Sequence, residues 1–170
     1  MIKRDLYLEE IKKYMNKPLI KVITGMRRSG KSMILKLIHE ELKKQGVPEK
    51  NIIYINFESL IFMDIKDFET LYKYIIDKTT NISGKFYILL DEIQEVKAWE
   101  KAINSFLVDL DADIYITGSN ANLLSSELAT YIAGRYIEIK IYPLSFQEYI
   151  DFATENNKEK PLSLDEYFNQ

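Results

Sequence analysis

The sequence contains no cysteine and a single histidine, His39. Disulfides and thiolate metal sites are therefore excluded, and a reducing compartment is the natural setting. No metal cluster can be built around one histidine flanked by Glu40 and Glu41, and a surface place is expected for it. No apolar run approaches the roughly 20 residues needed to cross a bilayer. The start, Met1-Ile2-Lys3-Arg4-Asp5-Leu6, lacks the continuous apolar stretch of a secretion signal. A cytoplasmic protein with no membrane partner is the expectation. Positive charge is also lacking overall: the net charge is −3, which makes no electrostatic case for nucleic acid.

At 170 residues, 46% hydrophobic and 29% charged, the chain fits one domain with a substantial core. Charge is unevenly spread. Residues 1–50 carry 13 Lys/Arg against 6 Asp/Glu, and residues 51–170 carry 10 against 20. Such asymmetry can mark a side that faces a polyanion. The favoured reading assigns part of the excess to a phosphate site and the rest to solvated helix surface.

Apolar periodicity alternates between two periods along the chain. Leu8, Ile11 and Met15 predict a helix over 5–15, ended by Pro18. Residues 19–24 are β-rich and lead into glycine. Ile34, Leu35, Ile38 and Leu42 form a helical stripe, stopped by Gly46-Val47-Pro48. Residues 52–57 read as a second strand. Phe68, Leu71, Tyr72, Ile75 and Ile76 mark another helix, closed by 81–84. The nearly pure apolar run 86–90 suits a central strand covered on both faces. Trp99, Ile103, Phe106, Leu107 and Leu110 form a third stripe. A short strand over 114–117, a short helix over 126–133 and an alternating edge strand over 137–141 follow. Ser145-Phe146-Gln147-Glu148 has the capping-box pattern, so a helix should begin after Pro143. Strands alternating with helices predict an α/β fold with a parallel sheet wrapped on both faces.

The glycines punctuate one segment with chemical meaning. Gly25-Met26-Arg27-Arg28-Ser29-Gly30-Lys31-Ser32 fits G-x-x-x-x-G-K-[ST], and it lies between a predicted strand and a predicted helix. Glycines let main-chain N–H groups close around phosphate oxygens, and the following helix presents its positive end. Lys31 can reach the β- and γ-phosphates, and the Ser32 hydroxyl can ligate Mg²⁺. Met33 completes the candidate nucleotide-binding segment. Arg27 and Arg28 are open to phosphate, a partner or solvent.

Asp91-Glu92 directly follows the central strand, at the strand end where α/β folds bind ligands. Asp91 is the candidate magnesium ligand, and Glu92 the candidate base for a water attacking the γ-phosphate. A complete strand and two helices separate the two motifs, which resembles the P-loop division with a glutamate beside the acidic metal ligand. No Asn-Lys-x-Asp guanine signature occurs, which favours adenine. Thr117-Gly118-Ser119-Asn120 follows the next strand. Asn120 is the candidate sensor of the γ-phosphate, with Ser119 in reserve, beside the plainer reading of a strand-to-helix turn. Gly134-Arg135 reads equally as a helix end or as an arginine finger toward a neighbouring subunit.

Taken together, TGMRRSGKS, YINFES, LLDEIQEVKAWEKAI, ITGSNANLLSSELATYIAGRY and IYPLSFQEY resemble the prokaryotic AAA+-type ATPases that carry a C-terminal domain of unknown function, relatives of archaeal and STAND-like ATPases. The resemblance covers roughly residues 1–152. It implies a three-layer P-loop fold with a five-stranded parallel sheet ordered 5-1-4-3-2, and ATP hydrolysis with Mg²⁺. Lys31 and Ser32 would then be Walker A, Asp91 and Glu92 Walker B, Asn120 sensor 1 and Arg135 the finger.

The expected organisation is an ATPase core over 1–153, a polar linker over 154–162 and the truncated start of a lid or further domain over 163–170. Such a fragment is expected to bind ATP and to turn it over slowly, its C-terminal domain being absent. The function expected is an ATPase that powers or switches that attached domain, with homo-oligomerisation through Arg135. Two alternatives stand beside it. LDEIQ followed by TGSN is similar to helicase motifs, so a DNA-associated ATPase is one; a nucleotide-binding switch without significant turnover is the other. A small-molecule kinase is disfavoured, since Arg135 is the sole arginine after Arg28.

Overall fold

In the computed structural model of the chain, residues 4–118, 132, 134–146 and 148–150 are described. The five strands are β1 (Ile20–Gly25), β2 (Ile52–Asn56), β3 (Phe86–Asp91), β4 (Ala112–Gly118) and β5 (Tyr136–Ile141). The helices are α1 (Asp5–Lys12), α2 (Lys31–Lys44), α3 (Phe68–Thr79) and α4 (Trp99–Asp109). Every strand pairing is parallel, and the order across the sheet is β2-β3-β4-β1-β5. This is the expected order 5-1-4-3-2. All the strand carboxyl ends therefore lie along one rim.

Successive side chains of a strand point to opposite faces, and here both faces are dry. On one face Val22, Ile55, Ile88, Leu90 and Ile116 pack beneath Leu71, Ile75, Trp99 and Ile103 of α3 and α4. On the other, Ile23, Leu89, Tyr115 and Ile139 pack against Leu8 and Ile11 of α1 and Ile34, Leu35 and Ile38 of α2. β5 is an edge strand in which exposed Glu138 and Lys140 alternate with buried Ile139 and Ile141, as the sequence pattern predicts.

Most boundaries shift by one residue from expectation, and three differences carry meaning. α1 stops at Lys12, well before Pro18, because the chain then tightens into turns that end at Asn16, with φ 61°. β4 begins two residues earlier than the apolar run suggests. Asp113 lies fully inside it, in an ion pair with Lys21 of β1, and accepts hydrogen bonds from Tyr115 Oη (2.8 Å) and the Asn16 amide (2.8 Å). A partnered charge thus sits where a sequence pattern reads a loop. β3 extends through Asp91, so the candidate metal ligand belongs to the strand itself.

The capping box is present: the Glu148 amide donates to Ser145 Oγ (3.2 Å), and the Ser145 amide to Glu148 Oε2 (2.7 Å). Phe146 and residues 148–150 are helical. Apart from the buried Ile132, the helix expected over 126–133 lies outside the described residues, as do the linker over 154–162 and the segment 163–170. Among the described residues no helix is long and apolar enough to cross a membrane.

Candidate nucleotide site

β1 delivers the chain to the rim at Gly25, and α2 carries it away from Lys31, so residues 25–30 must reverse direction within a few peptides. Gly25 has no substitute there: a Cβ would collide with the Ile141 carbonyl oxygen and lie 2.7 Å from Ser29 Oγ. Gly30 turns left-handed with φ 96°, and so does Arg28 with φ 65°. A non-glycine residue in that region is costly and marks a loop held by its surroundings.

Lys31, the first residue of α2, folds its side chain back inside this loop. Its Nζ contacts the carbonyl oxygens of Met26 (3.3 Å) and Gly25 (3.4 Å) and lies 3.4 Å from Glu92 Oε1. The ammonium is buried, and its partners among the described residues are these two carbonyls and one carboxylate. Arg27, Arg28, Gly30, Lys31, Ser32, Glu58 and Glu92 line a cleft of about 340 Å³. Two motifs far apart in sequence thus meet across one opening. Met26 and Met33 are exposed.

Asp91 is fully buried, and both of its oxygens are engaged. Thr117 Oγ1 donates to Oδ1 (2.5 Å), and Tyr54 Oη donates to Oδ2 (3.1 Å). Burial and the Asp91 carboxylate push Tyr54 well above the ordinary tyrosine range, so its hydroxyl remains a donor. Thr117 also acts as an acceptor, its Oγ1 taking the Glu92 amide (2.9 Å). That bond holds Glu92 in a left-handed backbone, φ 56° and ψ 51°, which aims its side chain across the cleft. Gln94 Nε2 donates to Glu92 Oε2 (2.6 Å), so the carboxylate is gripped between Gln94 and Lys31.

The donor set fits a magnesium-bound triphosphate. Mg²⁺ is held by one or two protein oxygens together with phosphates and waters, not by a dedicated cage of carboxylates. Ser32 lines the cleft and Asp91 ends β3 just before Glu92, and a hydroxyl and a carboxylate are the oxygen donors such an ion takes. Ser29 Oγ, buried within the loop, has no hydrogen-bond partner among the described residues. Its orphan state suits a loop built to close on an anion.

Sequence reading placed Gly25, Gly30, Lys31, Ser32, Asp91 and Glu92 together at this rim, and the fold brings them together. It missed Tyr54, Glu58, Gln94 and Thr117. Asn120 and Ser119 lie outside the described residues. Arg135 is exposed at the opposite rim, where its carbonyl accepts the Ile20 amide (2.8 Å) at the start of β1. β1 spans six residues between it and the loop, on the order of 17 Å. Arg135 therefore cannot touch phosphate in its own cleft.

A five-stranded parallel sheet in this order, with a glycine-bounded loop running into a helix at its rim, defines a P-loop NTPase fold. Residues 17–150 match the AAA domain family, and the chain belongs to it. It is 48% identical over 150 residues to an uncharacterised protein of Haemophilus influenzae, covering 88% of this chain and 38% of that one. It is 36% identical over 168 residues to an uncharacterised protein of Methanocaldococcus jannaschii, covering 97% and 34%. The chain thus spans about a third of the length of the curated relatives it matches.

Among solved structures it is similar to the Aeropyrum pernix ORC1 protein in complex with DNA, with TM-score 0.63 and 14% identity over 92% of this chain and 50% of that one. A DNA polymerase III gamma subunit-related protein from Thermotoga maritima gives TM-score 0.55 and 16% identity, covering 88% and 52%. These likenesses concern the fold.

Proposed function

We propose that the chain is an ATP-binding and ATP-hydrolysing module that powers or switches an attached domain. The carrying observation is the meeting of Lys31 and Glu92 across one cleft, 3.4 Å apart. In this reading the β- and γ-phosphates take the place that Glu92 Oε1 now holds beside Lys31. Main-chain amides of the loop and the positive end of α2 supply the rest of the cradle.

Ser32 and Asp91 would hold Mg²⁺, which supplies charge neutralisation on the phosphate oxygens. Tyr54 and Thr117 keep Asp91 aimed. Glu92, released from Lys31 on one side, accepts the proton of a water attacking the γ-phosphorus. The bond between that phosphorus and the bridging oxygen breaks, ADP departs with the electron pair, and phosphate is formed. Asn120 is proposed to contact the γ-phosphate.

Turnover by a single copy is slow in this reading. Phosphoryl transfer depends on cations placed around the transferring group, and Arg135 lies at the far rim. Only a neighbouring copy could present Arg135 to this cleft, so oligomerisation is proposed as the route to faster hydrolysis. Glu92→Gln tests the core of the proposal. Retained Mg-ATP binding with lost phosphate release supports it, whereas unchanged release removes Glu92 from the base role.

DNA association is not favoured. Several lysines of the basic N-terminal segment are paired locally: Lys12 with Glu9 and Glu41, Lys13 with Glu10, Lys43 with Glu49. Filter binding at two salt concentrations discriminates, because phosphate contacts impose a steep salt slope.

A further inference from the structure

Arg4 is nearly inaccessible, 5% exposed, although it lies ahead of the first helix. An arginine is rarely buried unless its donors are used, and here they are. Nη1 donates to the Ser29 carbonyl oxygen (2.8 Å), Nη2 to the Tyr142 carbonyl oxygen (2.8 Å) and Nε to Glu148 Oε1 (3.0 Å). The guanidinium also lies 4.5 Å from the centre of the Tyr7 ring. The Tyr7 hydroxyl in turn accepts the Tyr142 amide (3.2 Å). One planar fork thus ties together three segments distant in sequence: the chain before α1, the phosphate loop, and the stretch after β5.

The contact with Ser29 bears on the loop's chemistry. Ser29 C=O and Gly30 N–H belong to one peptide group, and among the described residues no peptide bond is cis. A trans peptide points its carbonyl and its N–H in opposite directions. Holding the carbonyl toward Arg4 therefore fixes the Gly30 N–H away from it, and Gly30 lines the cleft. A cationic donor on the carbonyl also polarises the peptide and strengthens that N–H as a donor. Arg4 packs directly against the loop here, since a Cβ on Gly30 would lie in van der Waals contact with Arg4 Nη1 (3.4 Å).

The other end of the fork holds the capping box. Glu148 accepts from Arg4 through Oε1 and from the Ser145 amide through Oε2. The helical turn that begins there is thus anchored through one guanidinium to the peptide that presents Gly30.

We propose that Arg4 is a positioning residue that orients the phosphate cradle and mechanically links it to the helical turn after β5. The link rests on the nucleotide-binding reading for its purpose, though not for its existence. Phosphate closing on the loop loads the Ser29–Gly30 peptide, and the load reaches Tyr142 and Glu148 through shared hydrogen bonds. Conversely, a pull on the segment after β5 tilts the cradle.

The test uses the 170-residue chain, its Arg4→Lys and Glu148→Gln variants, and three readouts. Lysine keeps the charge but cannot span three acceptors with a planar fork. Without nucleotide, Arg4→Lys should speed amide exchange at least tenfold both at Ser29, whose N–H bonds the Met26 carbonyl oxygen, and at Tyr149, whose N–H bonds that of Ser145. It should weaken Mg-ATP binding in calorimetry at least tenfold, with Glu148→Gln shifting both in the same direction by less. Melting temperature serves as the control for mere destabilisation. Variants that melt lower yet bind Mg-ATP as the wild type does would overturn the proposal, as would faster exchange in only one of the two segments. If the wild type binds no Mg-ATP while Arg4→Lys still loosens both segments, the nucleotide reading falls and the mechanical link stands.

Discussion

Lys31 Nζ and Glu92 Oε1 lie 3.4 Å apart, each reaching from its own motif into the same cleft. The lysine projects from the first position of α2, and the glutamate from a left-handed residue just past β3. The two charges face each other, so in the proposed reading a triphosphate entering the cleft would replace one carboxylate beside Lys31 with phosphate oxygens.

Glu92→Gln removes the charge while preserving the shape. Mg-ATP binding should be retained or tightened, since Lys31 loses its competing carboxylate. Phosphate release should fall by about 10²–10⁴-fold, the usual contribution of a positioned base. A coupled phosphate assay beside equilibrium binding measures both quantities.

Thr117→Val should be costly although the residue lies within an apolar strand. It deprives Asp91 of a donor and the Glu92 amide of its acceptor. Each stranded buried group costs about 1–3 kcal/mol, so urea unfolding should show a loss of that order or more. Tyr54→Phe removes one donor only and should weaken the Mg²⁺ dependence of ATP binding with less effect on stability.

Lys21 and Asp113 pair at the amino ends of β1 and β4, away from the cleft. Lys21→Met leaves a buried carboxylate unpaired and should destabilise by about 3–5 kcal/mol. Adding Asp113→Leu should recover only part of that loss: it removes the unpaired charge but strands the Tyr115 hydroxyl and the Asn16 amide, which donate to Asp113. Mg-ATP affinity of the folded variants should stay as in the wild type.

Glu148 should confer acid sensitivity on the Arg4 link. Burial opposes ionisation of its carboxyl, but the Ser145 amide and the Arg4 guanidinium more than offset this, leaving it below the ordinary 4.5. Between that value and the lower folded one, the unfolded chain binds more protons. The contribution of Glu148 is thus complete above pH 4.5 and declines as pH falls through the folded value. Acid titration should show the stability gap between wild type and Glu148→Gln narrowing below pH 4.5 and staying constant above it.

The order of elements was legible because apolar stripes and short β-rich runs alternate, and one glycine-bounded motif and one acidic pair mark which strand ends carry chemistry. Less visible were groups whose meaning depends on partners far along the chain. Asp113 looks like a loop residue until Lys21 is beside it. Thr117 could have been placed next to Asp91 from the strand order alone, since Leu90 pairs with Ile116 in adjacent strands. Arg4 carried no local signal: its acceptors are 25, 138 and 144 residues away. Proximity of that kind is created by the fold, not by spacing.

Calorimetric titration of Mg-ATP into the wild type and Lys31→Ala decides whether the loop is a triphosphate cradle. The expected result is saturable heat for the wild type and its loss in Lys31→Ala, with both proteins folded by circular dichroism. A flat titration of the folded wild type, or an undiminished one of Lys31→Ala, would contradict it.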